Sequence, residues 1–181
     1  MNIAAEALGT FLHHKALKCK KKGEIGDAIL LLQIAIVKFE EALTSNPTNR
    51  NLLRSIAICL TRVAEFKAEQ KNQKQFSVND QEILKTDKYY IMAIAEDAND
   101  PLTLYCYGKF LWRCGRLERA EEYFLQCLEA DPVFIWALKD YSKLLLMLKK
   151  DQQLLPTAKQ FWVAHTQCLR QRRSTICENP V

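Results

Sequence analysis

Residues 101–132, PLTLYCYGKFLWRCGRLERAEEYFLQCLEADP, constrain this chain more than any other stretch. Apolar residues recur there every three or four positions, the period of one helical face. The pattern breaks at Gly115, and an Asp-Pro step stands at each end, at Asp100-Pro101 and Asp131-Pro132. Proline suits the first position of a helix because its missing N–H has no partner there, and an aspartate before it can cap the free amides. The stretch therefore predicts two short amphipathic helices joined by a tight turn. Gly108 on the first, and Ala120 and Cys127 on the second, are small enough for close approach, with Phe124 filling the space between the latter two.

The pattern recurs along the chain. Leu138, Tyr141, Ser142 and Leu145 stand 34 residues after Leu104, Tyr107, Gly108 and Leu111. Tyr89, Tyr90, Ala93 and Ile94 stand 34 residues before Tyr123, Phe124, Cys127 and Leu128. Leu53, Ile56, Ala57 and Leu60 repeat the order of the first helix once more. Self-similarity at such a period marks a stacked array, because one helix pair cannot bury its apolar face alone.

The spacing Leu104, Tyr107, Gly108, Leu111, Ala120, Phe124, Pro132 resembles the tetratricopeptide repeat, a helix-turn-helix unit of about 34 residues. The resemblance is specific over residues 80–150 and weaker over 24–70. It implies an all-α, right-handed solenoid of helical hairpins, a superhelix of about seven to eight helices. Units fall at 2–47, 48–98, 99–132 and 133–173 of a single domain, followed by a tail at 174–181.

Read in order, residues 2–22 form a first helix with an apolar stripe of Ile3, Ala4, Ala7, Leu8, Phe11 and Leu12. Lys18, Lys20, Lys21 and Lys22 crowd its last turn, where cations suit the helix dipole, and Gly23 ends it. A second helix spans 24–45, with Ala28, Leu32, Ala35, Phe39 and Ala42 inward. From Ile25 to Ser45 it extends ~31 Å, longer than an ordinary repeat helix. A third, over 49–69, carries its apolar face on through Val63, Ala64 and Phe66. The polar run 71–80 reads as a loop, a linker or contact loop, before a helix at 80–96 capped by Asn79. After the clear unit come helices at 133–149 and 152–172, the last with Leu154, Leu155, Ala158, Phe161, Trp162, His165 and Leu169 on its apolar side.

Composition agrees with this reading. The chain is 49% hydrophobic with five Gly and five Pro, enough apolar material for a core and few breakers. The net charge of +5 is uneven: residues 76–131 hold 6 Lys/Arg against 11 Asp/Glu, while residues 132–181 hold 8 against 3. An acidic centre between basic ends favours a polar protein partner or self-association over duplex DNA. The seven cysteines include no C-x-x-C pair, so they read as small core residues of a reducing compartment, cytoplasmic or nuclear. No signal peptide opens the chain, and the longest apolar stretch, Ala28 to Val37, is too short to span a bilayer.

No grouping of residues carries chemistry. His13 and His14 are adjacent and point apart on a helix. His165 sits on an apolar face, and Glu40-Glu41 and Glu121-Glu122 read as solvated outer faces. No phosphate loop, nucleophile elbow or zinc-protease motif is present. The expectation is no enzyme, no metal and no cofactor.

The resemblance instead implies a binding surface, the concave face lined by the first helix of each pair. Carried onto this chain it implies Leu102, Tyr105, Lys109, Trp112 and Arg113 in the clear repeat. In the next repeat it implies Trp136, Lys139, Lys143 and Leu146, and in the helix at 49–69 Arg54, Ile58 and Arg62. Cations mixed with aromatics suit an acidic peptide or helix of a partner protein. The carboxylate clamp of the chaperone-binding branch needs asparagines that are missing at the matching places. An anionic membrane surface, reached through Lys18–Lys22, is an alternative partner, as is an accessory role within a larger protein. Arg172-Arg173-Ser174-Thr175 has the form of a basophilic kinase site at Thr175.

Overall fold

The structure, a computed structural model, describes residues 3–73, 76, 81–148, 156–157, 159–160 and 163. Among these residues it is all-α. Seven helices are α1 (Ile3–Lys21), α2 (Ile25–Ser45), α3 (Arg50–Gln70), α4 (Gln81–Glu96), α5 (Pro101–Arg113), α6 (Leu117–Ala130) and α7 (Ile135–Met147). Most of the helix predicted over 152–172, the Asn79 cap, Thr175 and the tail lie outside the described residues.

Two compact units divide the chain. The first holds Met1–Ala98 with Phe110–Arg116. Its four complete helices pack in sequence order, α1 on α2, α2 on α3 and α3 on α4. Sharp connections make this possible. Gly23 takes φ 86°, a left-handed value open to glycine, and ends α1. Asn49 caps α3, its side-chain oxygen accepting from Asn51 N at 3.0 Å and Leu52 N at 3.3 Å. Helices α2 and α3 run 21 residues each, against 13 for α5 and α7 and 14 for α6, so the N-terminal helices are elongated as their apolar patterns require. The core is built from Leu32, Ala35 and Phe39 of α2, Ile56, Cys59 and Val63 of α3, and Tyr90 and Ala93 of α4.

Helix α1 departs from the sequence reading. It buries the small residues Ala5, Gly9 and Ala16, with Leu12 half-buried beside them. Ile3, Ala4, Ala7, Leu8 and Phe11, five of the six stripe residues, are exposed. Close approach decides the face: Gly9 lies directly under the Phe39 ring, where a larger residue has no room. The run 71–80 also holds more than a linker. Phe76 is buried, its ring centroid 6.3 Å from that of Phe110, and its N–H donates to the Arg113 carbonyl at 3.0 Å.

The second unit holds Asn99–Lys109 with Leu117–Val181. Asp100 caps α5 as expected, its carboxylate accepting from Thr103 N at 3.0 Å. Gly115, which belongs to the first unit, takes φ 75° just after α5 ends. Gly108 lets Phe124 come so near that an added Cβ would stand 3.1 Å from the ring. Cys127 donates its thiol proton to the Pro101 carbonyl at 3.2 Å. Glu121, read as a solvated residue, is buried instead and accepts from the Tyr141 hydroxyl at 3.4 Å. Glu40 in the first unit is likewise half-buried, taking Tyr89 Oη at 3.0 Å and Lys85 Nζ at 2.9 Å.

Candidate functional site

In the second unit, the helical period puts Leu102, Tyr105 and Lys109 on one side of α5, at steps of three and four. Tyr105 organises what surrounds it. Its ring centroid lies 5.4 Å from that of Phe134 and 6.1 Å from that of Phe124, and the Lys109 ammonium sits 5.7 Å from its centre. Its hydroxyl donates to Asp140 at 3.0 Å. Phe134, at the N-terminus of α7, then meets Trp136 edge-on with centroids 5.4 Å apart.

Trp136 is 61% exposed, although two aromatic side chains stand in line beneath it. Lys139 and Lys143 follow at three and seven residues on α7, both exposed. Lys143 Nζ lies 3.1 Å from Asp140 Oδ1. The Lys143 side chain is 54% exposed and that of Asp140 14%, so the ammonium end of the pair is open to solvent. Trp136, Lys139 and Lys143 thus stand exposed on one side of α7, while Lys109 lies over Tyr105, whose hydroxyl donates to Asp140.

Leu146, also predicted, is exposed on α7 in the same unit, and the other predicted contacts fall in the first unit. Arg54 donates to Asn51 Oδ1 at 2.9 Å, and Arg62 to Glu65 Oε2 at 2.9 Å, both on their own helix. Ile58 is half-buried between them. The Arg113 guanidinium lies 5.3 Å from the Phe76 ring centre, and Trp112 is half-buried. Leu102, Tyr105, Lys109, Trp136, Lys139 and Lys143 therefore share one unit, while Arg54, Arg62, Trp112 and Arg113 share the other.

Two members of the α5 and α7 group were not legible beforehand. Asp140 stands 35 residues after Tyr105, close to the repeat offset, and Phe134 follows the Asp131-Pro132 step. The offset signals the first; nothing local distinguishes the second from a core residue.

Among the described residues, His13 and His14 form no site, and His165 lies outside those residues. His14 Nδ1 lies 2.9 Å from the Thr10 carbonyl. His13 is half-buried, and burial, then His14 and Arg62, hold its pKa below the ordinary value. Among the described residues no three His, Cys, Asp or Glu stand together to hold a metal ion, and no helix is long and apolar enough to cross a membrane.

No protein-family model matches the sequence, and no curated protein matches it. Solved structures do. PilF of Pseudomonas aeruginosa is 18% identical with a TM-score of 0.57; the match covers 89% of this chain and 63% of that one. The first TPR domain of human RPAP3 is 16% identical with a TM-score of 0.54, over 81% of this chain and 96% of that one. MamA of MSR-1 is 11% identical with a TM-score of 0.55, over 88% and 98%. At such identities the likeness lies in the backbone. The chain has the fold of the tetratricopeptide-repeat proteins.

Proposed function

We propose that the chain is a non-enzymatic protein-interaction module, and that Leu102, Tyr105, Lys109, Trp136, Lys139 and Lys143 receive an acidic peptide or helix of a partner protein. The observation that carries this reading is Trp136, 61% exposed while its edge rests on Phe134. A rigid aromatic held in place loses little entropy on binding, which suits an anchor. Lys109, Lys139 and Lys143 supply charge for carboxylates on either side of it. Support also comes from the fold, shared with an RPAP3 domain that is itself a TPR domain. The same reading places the chain in a reducing compartment, which suits the buried thiols of Cys59, Cys114 and Cys127.

The test is affinity capture with mass spectrometry, comparing the native chain with Lys139→Glu/Lys143→Glu and with Trp136→Ala. Partners recovered by the native chain and lost from both variants, at unchanged helicity, support the reading. Capture undiminished by both variants removes it.

A further inference from the structure

Helices α1 and α2 each leave a second row of residues outside the core. On α1 the row is Ala4, Leu8, Phe11, Lys15 and Lys18; on α2 it is Asp27, Leu30, Ile34, Val37 and Glu41. All ten are exposed, Phe11 by 61% and Ile34 by 49%. The steps along α1 are four, three, four and three. Read backwards from Glu41, the steps along α2 are the same. Alternating steps of three and four trace the seam of a two-helix coiled coil.

Laid antiparallel, the two rows match layer by layer. Ala4 faces Glu41, Leu8 faces Val37, Phe11 faces Ile34, Lys15 lays its stem on Leu30, and Lys18 faces Asp27. Within one molecule this pairing is closed off, because α1 and α2 already meet by the neighbouring rows, one residue further round each helix, where Gly9 touches Phe39. We propose that a second copy of this chain docks here, the α1 row of each copy lying on the α2 row of the other. Each copy has one row of each kind, so two such contacts close a two-fold dimer.

Charge selects this pairing over the others. Setting α1 against α1 of another copy puts Lys18 on Ala4 and Lys15 on Leu8, with no anion for either. Setting α2 against α2 brings Asp27 to Glu41, two like charges. Only the crossed arrangement covers the apolar residues and gives Lys18 an acid. Among the described residues neither Lys18 nor Asp27 has an ion pair within its own chain, whereas Glu41 is held by Lys38 at 2.8 Å.

Sedimentation velocity and light scattering on the full chain test this. A concentration-dependent dimer is expected, and Phe11→Ser with Ile34→Ser gives a monomer of unchanged helicity. Lys18→Asp and Asp27→Lys each weaken the dimer roughly fivefold, a change of about 1 kcal/mol. Their combination restores it to within about twofold, which no loss of folding can imitate. A monomer at concentrations up to about 100 µM overturns the proposal. So does a dimer indifferent to Phe11→Ser with Ile34→Ser, or a combined variant no tighter than the single ones. So too does a monomer that co-sediments with phosphatidylserine vesicles through Phe11 and Lys18, which assigns the α1 row to lipid.

Discussion

A Cβ built on Gly9 would stand 2.8 Å from Phe39 Cε1 and 2.9 Å from Cδ1, closer than packed carbon atoms come. This contact sets which side of α1 faces α2. Phe39 is itself 2% exposed and has little room to retreat. Glycine inside a helix costs about 1 kcal/mol relative to alanine, so Gly9→Ala gains that much in propensity. Overpacking a tight contact costs about 1–3 kcal/mol. The two combine to a net loss of about 1 kcal/mol, read as a lower guanidinium midpoint. Phe39→Leu placed in the Gly9→Ala background relieves the clash and recovers part of the loss. A Gly9→Ala chain as stable as the native one sinks this account of the α1 face.

The run 71–80 reads as polar chain with a single phenylalanine, and that phenylalanine anchors it. Phe76 packs on Phe110 beneath the Arg113 guanidinium. Phe76→Ala removes a buried ring and the surface on which Arg113 lies. A loss of about 3 kcal/mol follows, at the low end for phenylalanine truncation because the site borders a connection. Amide exchange should quicken at Phe76 N–H and along the start of α4. Exchange unchanged there, with stability held, shows the contact to be incidental.

These two sites also show where sequence reasoning stops. Helix boundaries were legible because they are local: Gly23, Asn49, Asp100-Pro101 and Gly115 each act through their own backbone or nearest amides. The 34-residue echo marked buried pairs such as Tyr90 with Phe124 and Leu104 with Leu138 for the same reason, since repeated packing leaves repeated spacing. Facing was not local. On α1 the larger apolar residues make the more conspicuous stripe, yet it is Gly9 that fits against Phe39. Glu121 appeared solvated until Tyr141, 20 residues on, reached it. In the candidate site, aromatic and basic residues were legible by type. The Tyr105 hydrogen bond to Asp140, which screens part of that charge, depends on the register of two helices.

Tyr141 and Tyr89 each donate to a carboxylate, Tyr141 to Glu121 and Tyr89 to Glu40. Burial, reinforced by the carboxylate, pushes both phenols up to about 12 from the usual 10. The folded state therefore holds these protons more tightly than the unfolded state. Their contribution to stability is complete below pH 10 and declines as pH rises from about 10 to about 12. Guanidinium midpoints should fall across pH 9.5, 10.5 and 11.5, and fall less steeply in Tyr141→Phe. That variant should also lose about 1 kcal/mol at pH 7, since a buried carboxylate forfeits one long hydrogen bond. An alkaline slope identical in Tyr141→Phe and the native chain contradicts the assignment.

Cys59, Cys114 and Cys127 are buried, and burial raises their thiols to about 12, about 11 and about 12. Alkylation requires the thiolate, which at pH 8 is then about one part in a thousand or less at each site. Access compounds the effect, because Cys59 and Cys127 lie fully inside their helical faces. In the folded chain iodoacetamide should label all three only as fast as the surrounding helices open. In guanidinium each should label at the rate of a free cysteine, with peptide mass spectrometry separating the sites. Labelling of Cys59 or Cys127 at equal rates in the folded and denatured chain would falsify the packing of α3 and α6 described above. Faster labelling of Cys127 in Phe124→Ala than in the native chain is the positive counterpart, since removing that ring opens the space in which the thiol is held.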